Sequence, residues 1–175
     1  MDLFQTLAEC SIAFAGFGAL HAVVAGGDTP RIMHRAFTIV LTGSLAFILS
    51  IVAVLLGEFG FDAEALWQLA SGVGIVVVGI GAAFFYAGHI RTTQAGHRPQ
   101  SPVFFAIAAS LLLSALPILL MNGIGWLWQP SALAYGAALI LILSSGIIAL
   151  LGCFWFPVAT AVRDAESMLS KDASD

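Results

Sequence analysis

Glu9 is the residue of this chain whose surroundings most suggest chemistry. It lies about six residues inside the first apolar stretch, which at ~1.5 Å per residue leaves it roughly 8 Å from the midplane of a bilayer. An acid at that depth without a basic partner is protonated, hydrated or neutralised by a bound cation. Each state serves proton or cation passage. The simpler interpretation is that Glu9 only reaches the head-group region.

Neutral polar side chains at a similar predicted depth are candidates to line the same route. The predicted ion pathway comprises Glu9, Gln68, Asn122 and Tyr135. The acids on this predicted side of the membrane are accompanied by no base, and a negative mouth concentrates cations. These acids are Asp2, Glu9, Glu58, Asp62 and Glu64.

The histidines raise a separate possibility, which is haem binding. His21 and His89 both fall within predicted helices, and two histidines can occupy the axial positions of a haem. Their spacing matches no short metal-binding motif, so no metal or other cofactor is predicted. There is no phosphate-binding glycine loop, nucleophile elbow or HExxH, and basic residues are too scarce to bind nucleic acid. We therefore expect neither an enzyme nor a nucleic-acid-binding protein.

The basic residues predict how the chain crosses a membrane. All six Lys and Arg residues fall in three pairs: Arg31 with Arg35, Arg91 with Arg98, and Arg163 with Lys171. Five apolar runs precede or separate these pairs, each long enough to span about 30 Å of hydrocarbon: about 3–26, 34–57, 65–90, 103–122 and 132–157. With the N-terminus outside, every base lies on the cytoplasmic side. The predicted fold is all-α, a polytopic integral protein of a cytoplasmic (inner) membrane.

Composition leaves little of the chain outside the bilayer. Of the 175 residues, 60% are hydrophobic and 9% are charged, against about 25% charged in soluble domains. Residues 1–157 are predicted to form one five-helix transmembrane domain, and 158–175 a cytoplasmic amphipathic helix with a frayed tail. Four apolar residues in this tail repeat with 4-3-4 spacing and so share one helix face: Val158, Val162, Ala165 and Leu169.

Small residues at four-residue spacing suggest where helices approach closely. Gly18, Ala22 and Gly26 form such a row in the first predicted helix, and in lipid this spacing favours close packing. The row either packs within one chain or joins copies of it in a homo-oligomer. In the second interpretation the apolar tail face is a further contact between copies.

The later helices carry two more features. Pro117 lies inside the fourth predicted helix, where it predicts a kink or a gate. Ser114 is close enough to hydrogen-bond to the backbone groups that lose their helical partner at the proline. The second and third helices also resemble the fourth and fifth at an offset of sixty-six residues, since Ser44 matches Ser110 and Gly57 matches Gly123. Such an offset is expected of a parallel repeat about the membrane normal.

These features together predict a small homo-oligomeric pore or transporter for cations or protons in the lipid bilayer. One alternative is a non-conducting accessory subunit that assembles with other membrane subunits. A further alternative is a haem-binding electron carrier that uses His21 and His89.

Overall fold

The computed structural model describes residues 2–24, 30–94, 102–125 and 129–172, and the side chains of Ala22, 30–35, Thr92, Pro102 and 153–172 are not part of that description. Within these ranges the secondary structure consists of five helices and no strands. The helices are α1 (Asp2–Val24), α2 (Pro30–Glu58), α3 (Ala63–Gln94), α4 (Pro102–Ile124) and α5 (Ala132–Asp172).

Local sequence explains where these helices begin and end. Proline, whose missing N–H is tolerated in the first turn, opens α2 and α4. The Asp62 carboxylate accepts a hydrogen bond from the Ala65 amide at 2.7 Å and so caps the start of α3. Gly60 and Gly125, with φ of 74° and 69°, follow the ends of α2 and α4, where a left-handed residue stops a helix.

Four of the helices form a closed ring, and α1 lies outside it. Each of α2, α3, α4 and α5 contacts two neighbours, in the order α2, α3, α4, α5 and back to α2. The interior is filled by apolar side chains that are fully buried, such as Leu49, Leu112, Leu119, Leu139 and Ile142. The first helix packs almost entirely on α2, and only 22% of its spanning segment is buried, against 50% for α5.

All five helices are long and apolar enough to cross a membrane. Consecutive helices run antiparallel, so α1, α3 and α5 begin at one end of the bundle, here called the amino end. α5 has 41 residues and is therefore about 60 Å long, roughly twice the hydrocarbon thickness. The predicted tail is thus an unbroken continuation of α5 in its backbone, whereas the side chains of Val158, Val162, Ala165 and Leu169 lie outside the described part.

Glycine permits the close approach of α1 to α2. A Cβ atom added at Gly43 of α2 would lie 2.9 Å from both the Ala15 amide nitrogen and the Ser11 carbonyl oxygen of α1. Gly18 meets Ile39 and Val40 of α2 in the same way. Gly18 therefore packs within the chain, while Ala22 and Gly26, the other members of its row, lie outside the described side chains.

Gly43→Ala is expected to destabilise the chain by about 1–3 kcal/mol, because its methyl group would meet backbone that cannot move aside. The control is Gly72→Ala in α3, where an added Cβ meets nothing within 4 Å and alanine favours the helix by up to about 1 kcal/mol. The measurement is the free energy of unfolding in detergent micelles by denaturant titration. Equal stability of the two variants would contradict the close α1–α2 contact.

Candidate functional site

The two faces of α1 differ in what they carry. Phe4, Ala8, Ser11 and Gly18 are buried, and their spacing of three, four and seven residues puts them on the single face that packs against the bundle. The opposite face is exposed. Toward the amino end it carries polar side chains, flanked by the exposed apolar residues Leu3 and Ile12. These polar residues are Asp2, Gln5, Thr6, Glu9 and Cys10.

Glu9 belongs to this exposed face and points away from the interior of its own chain. Further along the same face lie Ala13 and Gly16, both small and exposed, and a Cβ added at Gly16 would meet nothing within 4 Å. The polar exposed face of α1, comprising Asp2, Gln5, Thr6, Glu9, Cys10, Ala13 and Gly16, is called the α1 polar face below. It is the candidate functional site.

Asn122, a predicted pathway residue, instead joins three helices at the amino end of the ring. It is fully buried, and its amide nitrogen donates to the Ser71 hydroxyl of α3 at 2.9 Å. Its amide oxygen accepts from the Ser131 backbone N–H at 2.8 Å, just before α5 begins. The Ser131 hydroxyl in turn accepts from the Ala134 amide and caps α5. Asn122 therefore fixes the connection between α4 and α5.

Tyr135 is also fully buried, and it closes the ring near the amino end. Its hydroxyl donates to the Leu49 carbonyl oxygen of α2 at 2.8 Å. Its ring packs against those of Phe4 and Trp67, with centroids 5.8 and 5.7 Å away. Phe4 and Trp67 are themselves 5.3 Å apart, so the three rings fill the space between them. This aromatic cluster closes the interior to a polar route at that level.

Gln68 is half-buried on α3, and its amide donates to the Glu64 carboxylate at 3.4 Å. The structure therefore does not bring the four predicted pathway residues together: Glu9 lies on an outer face, whereas Asn122 and Tyr135 lie inside the ring. The sequence predicts similar depths in a bilayer for these residues, but depth does not specify which side of a helix a residue occupies. The spacing of Phe4, Ala8, Ser11 and Gly18 is the sequence signal for the buried face of α1, and exposed apolar residues such as Ile12 and Phe17 obscure it.

The histidines are not brought together either. His21 and His89 lie on α1 and α3, whose described backbones do not approach each other closely, and the side-chain contact of Phe4 with Trp67 lies at the opposite end of these helices. The His89 ring stacks on Phe105 of α4 with centroids 3.7 Å apart and an interplanar angle of 18°. No group of three metal-binding side chains occurs among the described residues.

Pro117 lies within α4, which continues through it to Ile124. Because proline has no backbone N–H, the Leu113 carbonyl oxygen loses its regular helical donor. Ser114 does not replace that donor, since its hydroxyl donates to the Ser110 carbonyl at 2.7 Å. Leu113, Ser114 and Pro117 are all exposed, so this backbone defect faces outward from the ring.

A groove of about 500 Å³ lies between α4 and α5 toward the amino end. Ile118, Leu133, Ala134 and Ala137 line it, and Gln129 and Ser131 contribute its polar side chains. Its surface is nearly all apolar, so it suits hydrocarbon and not an ion.

Asn122→Ala is expected to destabilise the chain by about 1–3 kcal/mol, because it leaves the partly buried Ser131 N–H and the buried Ser71 hydroxyl without their Asn122 partner. Ser114→Ala is the matched control on the same helix, since the Ser114 hydroxyl is exposed and bonds only within its own helix. Denaturant titration in detergent micelles measures both. A loss at Ser114 as large as that at Asn122 would contradict the junction described here.

Comparisons of this chain with protein families, with curated proteins and with solved structures found no match.

Proposed function

We propose that several copies of this chain assemble in a membrane and that cations or protons cross the membrane along the contacts between the copies. In this proposal Glu9 is the residue that binds the transported species. The observation that supports this most directly is the α1 polar face: it carries an acid and several neutral polar groups at a level where the interior of the chain is closed. A route along this face lies between copies and not through one.

The interior offers little to an ion. The buried polar side chains in the described part are hydroxyls and one amide: Ser11, Thr38, Thr42, Ser50, Ser71, Asn122 and Ser145. Several of these hydroxyls bond to carbonyls of their own helix, as Ser11 does to Leu7 and Thr42 to Thr38. Between them lie fully buried leucine and isoleucine side chains. Ion pathways need a continuous polar lining, and this interior does not provide one.

The exposed position of Glu9 is costly in a lipid environment unless something covers it. Ionisable side chains within spanning helices face other protein or water in nearly all membrane proteins. Copies related by an axis along the membrane normal would hold their Glu9 residues at one depth, and rings of acidic side chains select cations. An isolated chain leaves this carboxyl exposed to hydrocarbon.

The same polar face also suits a non-conducting assembly subunit, which would cover it with a different membrane protein. The two functions differ in what the purified chain does. A conducting homo-oligomer is active alone, whereas an assembly subunit is inactive alone and copurifies with another chain.

Glu9→Gln is expected to abolish cation or proton flux into liposomes that contain the purified chain, because the amide keeps the shape of the side chain but cannot ionise. Glu58→Gln is the matched control, since Glu58 is an exposed acid at the last residue of α2, at the amino end of the bundle, and lies outside the α1 polar face. Flux is measured with a pH-sensitive dye and with a potassium-sensitive dye. Unchanged flux and selectivity in Glu9→Gln would remove Glu9 from the function.

A further inference from the structure

One buried side-chain group in the described part of the chain has no hydrogen-bond partner. The Ser50 hydroxyl of α2 is fully buried and unpaired. The hydroxyls of Ser11 and Thr42, which are also buried, each donate to a carbonyl oxygen four residues earlier in their own helix. Ser50 makes no such bond, so its hydroxyl is turned away from the backbone of α2. An unpaired buried hydroxyl destabilises a fold and calls for an explanation, of which access by water is a common one.

The register of α1 on α2 places Ser50 behind Phe4. Gly43 of α2 faces α1 and lies level with the turn that begins at Ser11. Ser50 comes seven residues later, which is close to two helical turns, so it points in nearly the same direction as Gly43. Because the two helices are antiparallel, the matching turn of α1 begins seven residues earlier, at Phe4, and ends at Ala8. Both residues are buried, and Phe4 lies on the amino-end side of Ser50.

The aromatic contacts of Phe4 agree with this placement. The Tyr135 hydroxyl donates to the carbonyl oxygen of Leu49, which is the residue before Ser50. The phenyl group of Phe4 packs against both Tyr135 of α5 and Trp67 of α3. Phe4 therefore closes the amino end of the helix ring beside Ser50.

The two parts of α1 are attached to the bundle in different ways. Residues 11–18 are held by close approaches at glycine. An added Cβ would lie 2.9 Å from the backbone of α1 at Gly43, and 2.6 Å from the Phe14 phenyl group at Gly146 of α5. Residues 2–10 depend on side-chain contacts, and only Phe4 and Ala8 among them are buried. The first nine residues of α1 are therefore the part that separates more easily from the bundle.

Ser11 favours a bend between these two parts. Its hydroxyl donates to the Leu7 carbonyl oxygen, which is also the acceptor of the regular helical hydrogen bond. Serine bonds of this kind weaken a helix slightly and often bend it. Residues 2–10 can thus turn away at Ser11 while the following residues stay on α2.

Water is close to the amino end of α1. The candidate span of α1 begins at Asp2, so Phe4 lies about 3 Å inside it. The same end of the bundle carries the exposed acids Glu58, Asp62 and Glu64. Separation of Phe4 from its aromatic neighbours would therefore open the helix ring toward the aqueous side.

We infer that residues 2–10 of α1 form a lid on the helix ring, which bends at Ser11 and is held closed by Phe4, and that the open lid admits water to the Ser50 hydroxyl. The closed lid buries Phe4 and leaves Ser50 unpaired, whereas the open lid exposes Phe4 and hydrates Ser50. Because these effects oppose each other, the two states differ less in free energy than the burial of Phe4 alone would give. The lid is a property of a single copy and does not rest on the proposed function.

Thiol modification tests the lid in the full-length chain, in a background that carries Cys10→Ser and Cys153→Ser. Ser50→Cys is expected to react slowly with a water-soluble methanethiosulfonate reagent that is added to the purified chain in detergent micelles. Adding Phe4→Ala is expected to raise this rate about tenfold or more, because modification of a transiently open site follows the population of the open form.

Two controls separate opening of the lid from loosening of the whole fold. Ser145→Cys puts a buried thiol on α5, beside Gly146 and level with the tightly held part of α1, so Phe4→Ala should leave its rate unchanged. Leu3→Ala changes an exposed neighbour of Phe4 and should leave the rate of Ser50→Cys unchanged.

Three results would overturn the lid. The first is an absence of modification at Ser50→Cys while Phe4 is in place, since the lid would then not open. The second is a rate at Ser50→Cys that Phe4→Ala does not raise. The third is an equal increase at Ser145→Cys, which would mean that the whole chain loosens.

Ser11→Ala tests the position of the bend. It removes the additional bond to the Leu7 carbonyl oxygen, so the helix becomes stiffer and modification of Ser50→Cys should be slower than in the parent chain. A rate equal to that of the parent chain, or above it, would overturn Ser11 as the hinge.

Discussion

Hydrocarbon offers no hydrogen bonds, so each polar group of a membrane-spanning chain must find its partner in protein. Inside the ring this requirement is largely met: Asn122 pairs with Ser71 and with the Ser131 amide, and Tyr135 pairs with the Leu49 carbonyl. The Ser50 hydroxyl is the one described buried side-chain group without a partner. On the surface, the α1 polar face exposes the Glu9 carboxyl and several neutral polar side chains. In hydrocarbon, this is the place where the chain would need a partner from outside itself.

The arrangement of the helices separates stability from the candidate function. The ring of α2 to α5 holds most of the fully buried side chains and the buried amide, and α1 adds Phe4 and the fully buried Ser11. The first helix is attached through its close approach to α2 at Gly18 and Gly43. Because its other face contributes nothing to the interior of the chain, polar residues there do not destabilise the fold from within. Residues on the exposed face of α1 can therefore be substituted without changing how α2 to α5 pack.

Much of the fold follows from the sequence, because hydropathy and length specify spanning helices almost by themselves. All five were predicted, and the proline and aspartate residues at their starts explain why α2, α3 and α4 begin where they do. The candidate site was harder to predict. Depth along a helix can be counted from residue numbers, so the sequence assigns similar predicted depths to Glu9, Asn122 and Tyr135. Which face each occupies depends on packing, and α1 is apolar on both sides over much of its length, which hides the stripe of Phe4, Ala8, Ser11 and Gly18. The three-way junction at Asn122 depends on residues far apart in sequence, and no local sequence pattern predicts it.

The length of α5 has a mechanical consequence. This helix packs on its neighbours as far as Gly152, where an added Cβ would meet Phe104 of α4, and its backbone then continues without a break to Asp172. The last twenty residues are therefore a rigid extension of the packed part. A small tilt of the packed part would move the tip at Asp172 through a larger arc than it moves Gly152.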